Sequence, residues 1–140
     1  MLSPPPAADA APTTAGVKCI LVVDDEDAIR EAVVDTLEYE GYRVVSATNG
    51  LQALDEVRAA KPDVIILDLM MPVMDGWTFL QQCRSDPLCS CTPVMVMSAF
   101  PAFEASTSQF HVEARLAKPF DLDDLVGAVK RLLDPADSAH

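Results

Sequence analysis

Short apolar runs alternate with amphipathic stretches along most of this chain, and several of the runs end in a charged residue. The central run, Val64–Leu67, is apolar throughout and is followed directly by Asp68. Continuous apolar runs of this length are typical of strands buried on both faces, whereas the intervening stretches carry apolar residues at helical spacing. The pattern predicts five strands (17–23, 43–47, 64–67, 93–97 and 113–117) and five helices (28–40, 51–60, 78–85, 103–110 and 121–133). Strands that alternate with helices predict an α/β fold with a parallel sheet and right-handed crossovers.

The two ends of the chain differ in composition from its middle. Residues 1–16 are rich in Ala, Pro and Thr and poor in large apolar side chains, so we expect a disordered tail. Residues 17–134 are expected to form one domain, and residues 135–140 a short C-terminal tail. A chain of 140 residues is long enough for one domain with a sizeable core and too short for two ordinary ones.

Charge and hydropathy limit the environments that suit the chain. Its net charge of −12 disfavours direct binding to nucleic acid or to an anionic membrane surface, because both would repel it. No apolar run approaches the ~18–20 residues that a membrane-spanning helix needs. The N-terminus also lacks the basic segment and apolar core of a secretory signal. The cytoplasm is therefore the expected location.

Four cysteines do not make a disulfide scaffold in a chain of this length. Cys19 lies in the first predicted strand, where it is expected to be a small buried hydrophobic residue. Cys83, Cys89 and Cys91 lie close together near the end of the third predicted helix. No fourth metal ligand stands at a familiar spacing from them, so incidental thiols are favoured over a metal or redox site.

Three of the predicted strands end in residues that can do chemistry. Asp24 and Asp25 follow the first strand, Asp68 follows the third, and Lys118 follows the fifth. Because ligands bind at the carboxyl ends of strands in open α/β sheets, we expect these three carboxylates and one ammonium group to lie together at a binding edge. Such a set suits a divalent cation and a phosphoryl group.

Each of these residues also has an ordinary structural interpretation. Asp68 could form a turn, the acids after the first strand could cap the following helix, and Ser98 could close a turn after the fourth strand. Helix capping accounts for one or two acids. It accounts less well for two adjacent carboxylates at a strand end, which repel each other unless a cation offsets their charge. The combination therefore favours a site.

Taken in order, these motifs are similar to those of the receiver (response-regulator) domain of two-component signalling. The matching stretches are Asp24-Asp25, the run from Asp68 to Gly76, Ser98-Ala99 and Lys118-Pro119-Phe120. The resemblance implies a flavodoxin-like fold, which is a doubly wound five-stranded parallel sheet with helices on both faces. It also implies a cis Lys118–Pro119 peptide bond.

The resemblance assigns a role to each residue of the site. Asp68 is implied as the phosphoacceptor, and Mg²⁺ as the metal, with Asp25 and Asp68 as direct ligands. The side chain of Asp24 is implied as a ligand through water, and the backbone carbonyl of Met70 as a further ligand. No organic cofactor is expected.

Two residues are implied to act on the phosphoryl group itself. Lys118 would pair with its oxygens, and with Asp68 when no phosphoryl group is bound. Ser98 would hydrogen-bond the phosphoryl group and act as a switch residue. A dianionic group that draws both side chains inward can reorder the loop after the fourth strand.

The resemblance further implies partners and an output surface. The phosphodonor would be a phosphohistidine on a histidine kinase or phosphotransfer protein. The output would go to an unidentified protein through the fourth helix, fifth strand and fifth helix, or the phosphoryl group would be passed on along a relay. We expect a stand-alone receiver that is not an enzyme beyond phosphorylating itself from small donors and dephosphorylating itself.

Two other functions remain open. One is a receiver-like protein-binding module that is never phosphorylated. The other is a phosphohydrolase with an Asp nucleophile, although such enzymes usually place a second acid two positions later, where this chain has Met70.

The chain departs from the receiver pattern at Arg115, which takes the place of the family's usual aromatic switch residue on the fifth strand. A guanidinium resists burial, so the usual aromatic coupling is in doubt. The interval from Ser98 to Lys118 also looks short, and it contains the weakly predicted helix 103–110. We hypothesise that this output face is either remodelled for a particular partner or partly unfolded.

Overall fold

The computed structural model describes residues 17–69, 74, 76–98 and 112–133. Its strands are Cys19–Val23 (β1), Arg43–Ala47 (β2), Val64–Asp68 (β3), Val94–Ser98 (β4) and Ala114–Ala117 (β5). The described helices are Asp27–Tyr39 (α1), Gly50–Ala60 (α2), Gly76–Ser85 (α3) and Leu122–Leu133 (α4). Every element described lies within two residues of its predicted position. The predicted helix 103–110 lies outside the described residues, so α4 corresponds to the helix predicted over 121–133.

The five strands form one sheet in the order β2-β1-β3-β4-β5, and every neighbouring pair is parallel. Successive side chains of a strand point to opposite faces, and β1 illustrates the result. Ile20 and Val22 pack with residues of α1 and α4. Leu21 and Val23 pack with residues of α2 and α3 on the other face. The sheet is therefore covered on both faces, which confirms the predicted doubly wound architecture.

Local sequence determines where two of the helices begin or end. Asn49 caps α2, because its side chain accepts a hydrogen bond from the backbone N–H of Gln52 at 2.9 Å. Beyond α1, Gly41 has a φ of 100°, a conformation that glycine adopts without steric penalty. Both signals are visible in the sequence, and the helices lie where the pattern predicts.

The cysteines correct one expectation. Cys19 is 5% exposed, as predicted for a small buried residue, and burial raises the pKa of its thiol. Cys83 and Cys89 are joined by a disulfide bond, whereas Cys91 is free and exposed. The interpretation of the clustered cysteines as incidental thiols is therefore wrong for Cys83 and Cys89. The sequence offers no periodic signal that brings these two together.

Within the described ranges, no helix is long and apolar enough to span a membrane. The predicted tails at residues 1–16 and 135–140 lie outside the described residues, and the domain boundaries stay predictions.

Candidate functional site

The site lies where the order of the strands reverses along the sheet. β1 and β3 are neighbours, and their connections lead away to opposite sides, which creates a crevice at the carboxyl ends of the strands. Asp24 directly follows β1, and Asp68 is the last residue of β3. Asp24 is fully buried and Asp68 is 3% exposed. Two carboxylates that are this buried need positive partners.

A third carboxylate joins this pair. Asp24, Asp25 and Asp68 each offer a carboxylate oxygen, and these oxygens all lie within 4.8 Å of one another. Asp25 is exposed, so the cluster is open to solvent on one side. Oxygen ligands with room for water molecules are the set that Mg²⁺ prefers. The donor set therefore fits the predicted ion; the carbonyl of Met70, its fourth predicted ligand, lies outside the described residues.

Lys118 supplies the positive charge of the site. Its Nζ lies 3.1 Å from Oδ2 of Asp24, 3.3 Å from Oδ2 of Asp68 and 3.4 Å from Oε1 of Glu26. The Lys118–Pro119 peptide bond is cis, as the resemblance implies. The structure thus brings together the predicted acids and the predicted lysine from three different strand ends.

The electrostatics of the site keep Lys118 charged. Burial alone would lower the pKa of this lysine, but the negative charges of Asp68 and Asp24 outweigh it, and the pKa is raised above its usual value of 10.5. The ammonium group is therefore a permanent positive charge at neutral pH, beside the carboxylate proposed to receive the phosphoryl group.

Backbone groups fix the orientation of Asp24. Its Oδ1 accepts a hydrogen bond from the backbone N–H of Glu26 at 2.9 Å, while its Oδ2 faces Lys118. Its backbone carbonyl accepts a hydrogen bond from Nη1 of Arg30 at 3.0 Å, and its N–H donates to the carbonyl of Ala47 at 3.1 Å. Each polar group of this buried residue is thus directed by a specific partner.

Gly76 allows α3 to begin directly against the end of β3. Its N–H donates to the carbonyl of Leu69 at 3.1 Å. A Cβ at this position would lie 2.6 Å from the carbonyl oxygen of Asp68 and 2.6 Å from Cα of Leu69. Because both of these are backbone atoms, they cannot move aside without displacing Asp68 itself. The glycine is therefore part of what positions Asp68.

The two predicted switch residues lie on neighbouring strands. Ser98 is the last residue of β4 and is paired in register with Ala117, next to Lys118; its side chain is outside the described residues. Arg115 lies on β5 in register with Val96 and is exposed. That exposure agrees with the expectation that a guanidinium resists burial, whereas its role in switching stays a prediction.

Two features beside the site are not predicted by the sequence. Glu26 reaches Lys118, although its side chain is 60% exposed and nothing in the sequence separates it from the neighbouring acids. An apolar groove of about 460 Å³ also opens next to Lys118, between α1 and the segment that joins β5 to α4. It is lined by Glu26, Ala28, Ile29, Ala32, Val33, Lys118, Pro119, Phe120 and Leu122. Apolar residues were predicted on α1, but their exposure as a groove depends on tertiary packing.

The chain belongs to the response regulator family of receiver domains, since the family model "Response regulator receiver domain" matches residues 20–130. Members of this family act in two-component systems, where phosphorylation on Asp and binding of Mg²⁺ are typical. They take the phosphoryl group from histidine kinases or phosphotransfer proteins, and they are generally phosphoacceptor switches.

Two curated relatives differ in how much of their length is matched. The response regulator MprA of Mycobacterium bovis is 37% identical over 128 residues, which is 86% of this chain and 54% of that protein. Sporulation initiation phosphotransferase F of Bacillus subtilis is 36% identical over 116 residues, which is 81% of this chain and 92% of that protein. The chain thus spans about half the length of the first relative and nearly all of the second.

Solved structures have the same architecture. The chemotaxis protein CheY4 of Vibrio cholerae superposes with a TM-score of 0.79 at 32% identity, covering 84% of this chain and 100% of that one. The response regulator TrrA of Thermotoga maritima, solved in complex with Mg(2+)-BeF, gives a TM-score of 0.76 at 32% identity, covering 84% of this chain and 100% of that one. The predicted flavodoxin-like fold is confirmed.

Proposed function

We propose that Asp68 accepts a phosphoryl group from a phosphohistidine of a histidine kinase or phosphotransfer protein, with Mg²⁺ bound beside it. The observation that carries this proposal is the arrangement around one buried carboxylate. Asp68 lies among two further acids and 3.3 Å from a lysine ammonium. A buried acid cluster open to solvent on one side, with a fixed cation on another, suits a group that carries two negative charges.

The chemistry requires a nucleophile and charge stabilisation. A carboxylate oxygen of Asp68 attacks phosphorus, and the P–N bond to the donor histidine breaks, with the electron pair leaving on the imidazole. The product is an acyl phosphate. Phosphoryl transfer depends mainly on positioning and electrostatic stabilisation, and Lys118 Nζ is within reach of both Asp68 and any phosphoryl oxygen that forms there.

The acids of the site have separate roles in this proposal. In this proposal Asp25 and Asp68 would hold the metal directly, Asp24 would hold it through water, and the carbonyl of Met70 would be a further ligand. When bound, Mg²⁺ neutralises charge on the phosphoryl oxygens. The ion also offsets the repulsion among the three carboxylates, which Lys118 alone offsets only in part.

The groove beside Lys118 suits the protein that donates the phosphoryl group. Such a donor has to present its phosphohistidine to Asp68, and the groove shares Lys118 with the site. Its lining is apolar along α1 and at Phe120, and it also includes the charged residues Glu26 and Lys118. We infer that an amphipathic helix of the donor packs its apolar face here, since grooves of this kind bind helices through apolar anchor residues.

The output of the switch follows from the residues at the ends of β4 and β5. Ser98 and Lys118 both turn towards the new phosphoryl group, and the change is passed to a face that includes β5 and α4. Arg115 on this face then offers a positive charge to a protein partner where an aromatic is usual. The stand-alone architecture stays a prediction; the Bacillus relative is matched over 92% of its length and the Mycobacterium relative over 54%.

Intact mass after incubation with a small acyl-phosphate donor tests this function. We expect the wild type to gain one base-labile phosphoryl group in the presence of Mg²⁺ and none in the presence of a chelator. Asp68→Asn is expected to gain none. Asp63→Asn is the matched control, because it makes the same change at the opposite end of β3 and should be phosphorylated normally.

Three other results would contradict the proposal. An adduct on Asp68→Asn would mean that another residue is the acceptor. Turnover of free phosphoester without an adduct would favour the phosphohydrolase. No adduct on the folded wild type would favour a phosphorylation-independent binding module.

A further inference from the structure

Three of the four cysteines lie within one short segment. This segment is at the C-terminal end of α3, whereas the N-terminal end of α3 lies beside Asp68. Cys83 is in the last turn of α3 and Cys89 is in the loop that leads to β4. Their Cα atoms are 5.1 Å apart and the two residues are joined by a disulfide, a separation typical of such bonds. Both are almost completely buried, at 0% and 1% exposure. A thiol in solvent therefore has no direct access to either sulfur.

The surrounding contacts hold this geometry without help from the sulfur–sulfur bond. Arg84 Nη1 donates to the carbonyls of Cys89, Ser90 and Thr92, at 3.3, 3.2 and 2.9 Å. The carbonyl of Asp86 accepts the backbone N–H groups of Cys89 and Ser90, at 2.9 and 2.8 Å. The loop is thus fixed by its own hydrogen bonds, so that the two cysteines stay adjacent when the bond opens.

The reduced pair also has a place in this packing. Sγ of Cys83 lies 3.3 Å from the carbonyl oxygen of Cys89, so a Cys83 thiol has a hydrogen-bond acceptor. A dithiol and a disulfide therefore both fit the same backbone.

Cys91 is the exposed thiol of this segment. It is free and exposed, and it stands two residues after Cys89. The Arg84 guanidinium binds the carbonyls on either side of it, those of Ser90 and Thr92. Exposure is a common property of reactive cysteines. The segment therefore combines a buried pair with one accessible thiol beside it.

We propose that Cys83, Cys89 and Cys91 form a thiol–disulfide exchange site whose substrate is a small disulfide of the glutathione class. The Cys91 thiolate attacks the small disulfide, forms a mixed disulfide and releases one small thiolate. The Cys89 thiolate then attacks Sγ of Cys91 and releases the second, leaving a Cys89–Cys91 bond. Finally the Cys83 thiolate attacks Sγ of Cys89 and restores Cys91 as a thiolate.

The exchange balances without a further reagent. Two protein thiols lose their protons and two electrons to become the Cys83–Cys89 disulfide, and the small disulfide gains them to become two small thiols. Cys91 begins and ends as a thiol. The reverse sequence reduces the buried pair. Oxidation covalently ties the end of α3 to the loop that leads into β4, and this inference does not depend on phosphorylation of Asp68.

The test follows the full chain in mixtures of reduced and oxidised glutathione, with acid quenching, alkylation and peptide mass mapping. We expect the fully reduced wild type to form the Cys83–Cys89 disulfide and leave Cys91 open to alkylation. In Cys91→Ser the same disulfide should form at least about tenfold more slowly, because exchange requires access to the attacked or attacking sulfur. Cys19→Ala is the control that removes a thiol outside the site, and its rate should equal that of the wild type.

A second variant tests the order of the steps. Cys83→Ser cannot complete the exchange, so it should accumulate either the Cys91 mixed disulfide or the Cys89–Cys91 bond, with its fold checked by circular dichroism. Three results would overturn the proposal: a wild type that forms no disulfide at any glutathione ratio, a Cys91→Ser rate equal to that of the wild type, or a folded Cys83→Ser variant with no adduct on Cys91.

Discussion

Replacing Lys118 by Met should destabilise the metal-free protein strongly, because Lys118 compensates two buried carboxylates at once. Its Nζ lies 3.1 Å from Asp24 and 3.3 Å from Asp68, and its side chain is 11% exposed. At these separations each pair carries about 5 kcal/mol of Coulomb attraction at an effective dielectric constant of about 20. Desolvation cancels much of that attraction in the intact pair, but the variant leaves both acids buried without the positive charge of Lys118.

The expected loss is about 3–5 kcal/mol, the range found when one partner of a buried ion pair is removed. This is a large share of the ~5–15 kcal/mol by which domains are usually stable. Mg²⁺ should restore part of the loss, since a ligand at 100 times its Kd stabilises the folded state by about 2.7 kcal/mol. The stabilising effect of Mg²⁺ is thus expected to be larger in Lys118→Met than in the wild type, where Lys118 already offsets part of the repulsion.

Urea unfolding with and without Mg²⁺ measures both quantities. Lys130→Met is the matched control: it removes a lysine paired with Glu40 at 3.2 Å, but with side chains that are 57% and 29% exposed. An exposed pair contributes about 0–1 kcal/mol. The reasoning would be refuted if Lys118→Met, in the presence of a chelator, lost no more stability than Lys130→Met.

Three further predictions concern the same site. Asp68→Asn should be at least as stable as the wild type in the presence of a chelator, because it relieves carboxylate repulsion while the ion pair between Lys118 and Asp24 remains. In urea unfolding, Mg²⁺ should no longer stabilise this variant. The difference in unfolding free energy between the wild type and Lys118→Met should be constant from pH 7 to pH 10.5 and shrink above it. The pKa of Lys118 is raised in the folded state, and in this range the ion pairs are lost only when that lysine loses its proton. A difference that fell between pH 7 and pH 9 would contradict this. Gly76→Ala should lower the free energy of unfolding by about 1–3 kcal/mol, because its Cβ would overlap with backbone atoms. Gly127→Ala is the control within α4: its Cβ would come no closer than 3.5 Å to a flexible side chain, and the free energy of unfolding should rise by up to about 1 kcal/mol.

Much of the fold and site could be predicted because the signals are local and the sheet is parallel. The apolar run Val64–Leu67 identifies a buried strand. The alternation of strands and helices implies a parallel sheet, in which the carboxyl ends of all the strands lie at the same edge. Asp24 and Asp68 then lie close together because β1 and β3 are neighbours, whereas Lys118 follows β5, which is separated from β3 by β4. The structure brings them together with separations of 3.1 and 3.3 Å from the lysine.

The features that were missed depend on contacts between distant parts of the chain. Glu26 looks like any acid at a helix start, and only the path of the chain after β5 brings Lys118 to it. The groove lies between α1 and the segment after β5, which are far apart in the sequence. Cys83 and Cys89 are close in sequence, but their pairing requires the loop to turn back onto α3, which Arg84 and Asp86 hold in place.

The central claim is that Asp68 itself receives the phosphoryl group, and locating the modification tests it most directly. The wild type would be phosphorylated with Mg²⁺ and a phosphohistidine-bearing donor protein, and the acyl phosphate reduced with borohydride, which converts a phosphorylated aspartate to homoserine. Peptide mass mapping then identifies the residue. We predict homoserine at position 68 alone. Conversion at Asp24 or Asp25, or a phosphoryl group that resists borohydride on Ser98, would contradict the account.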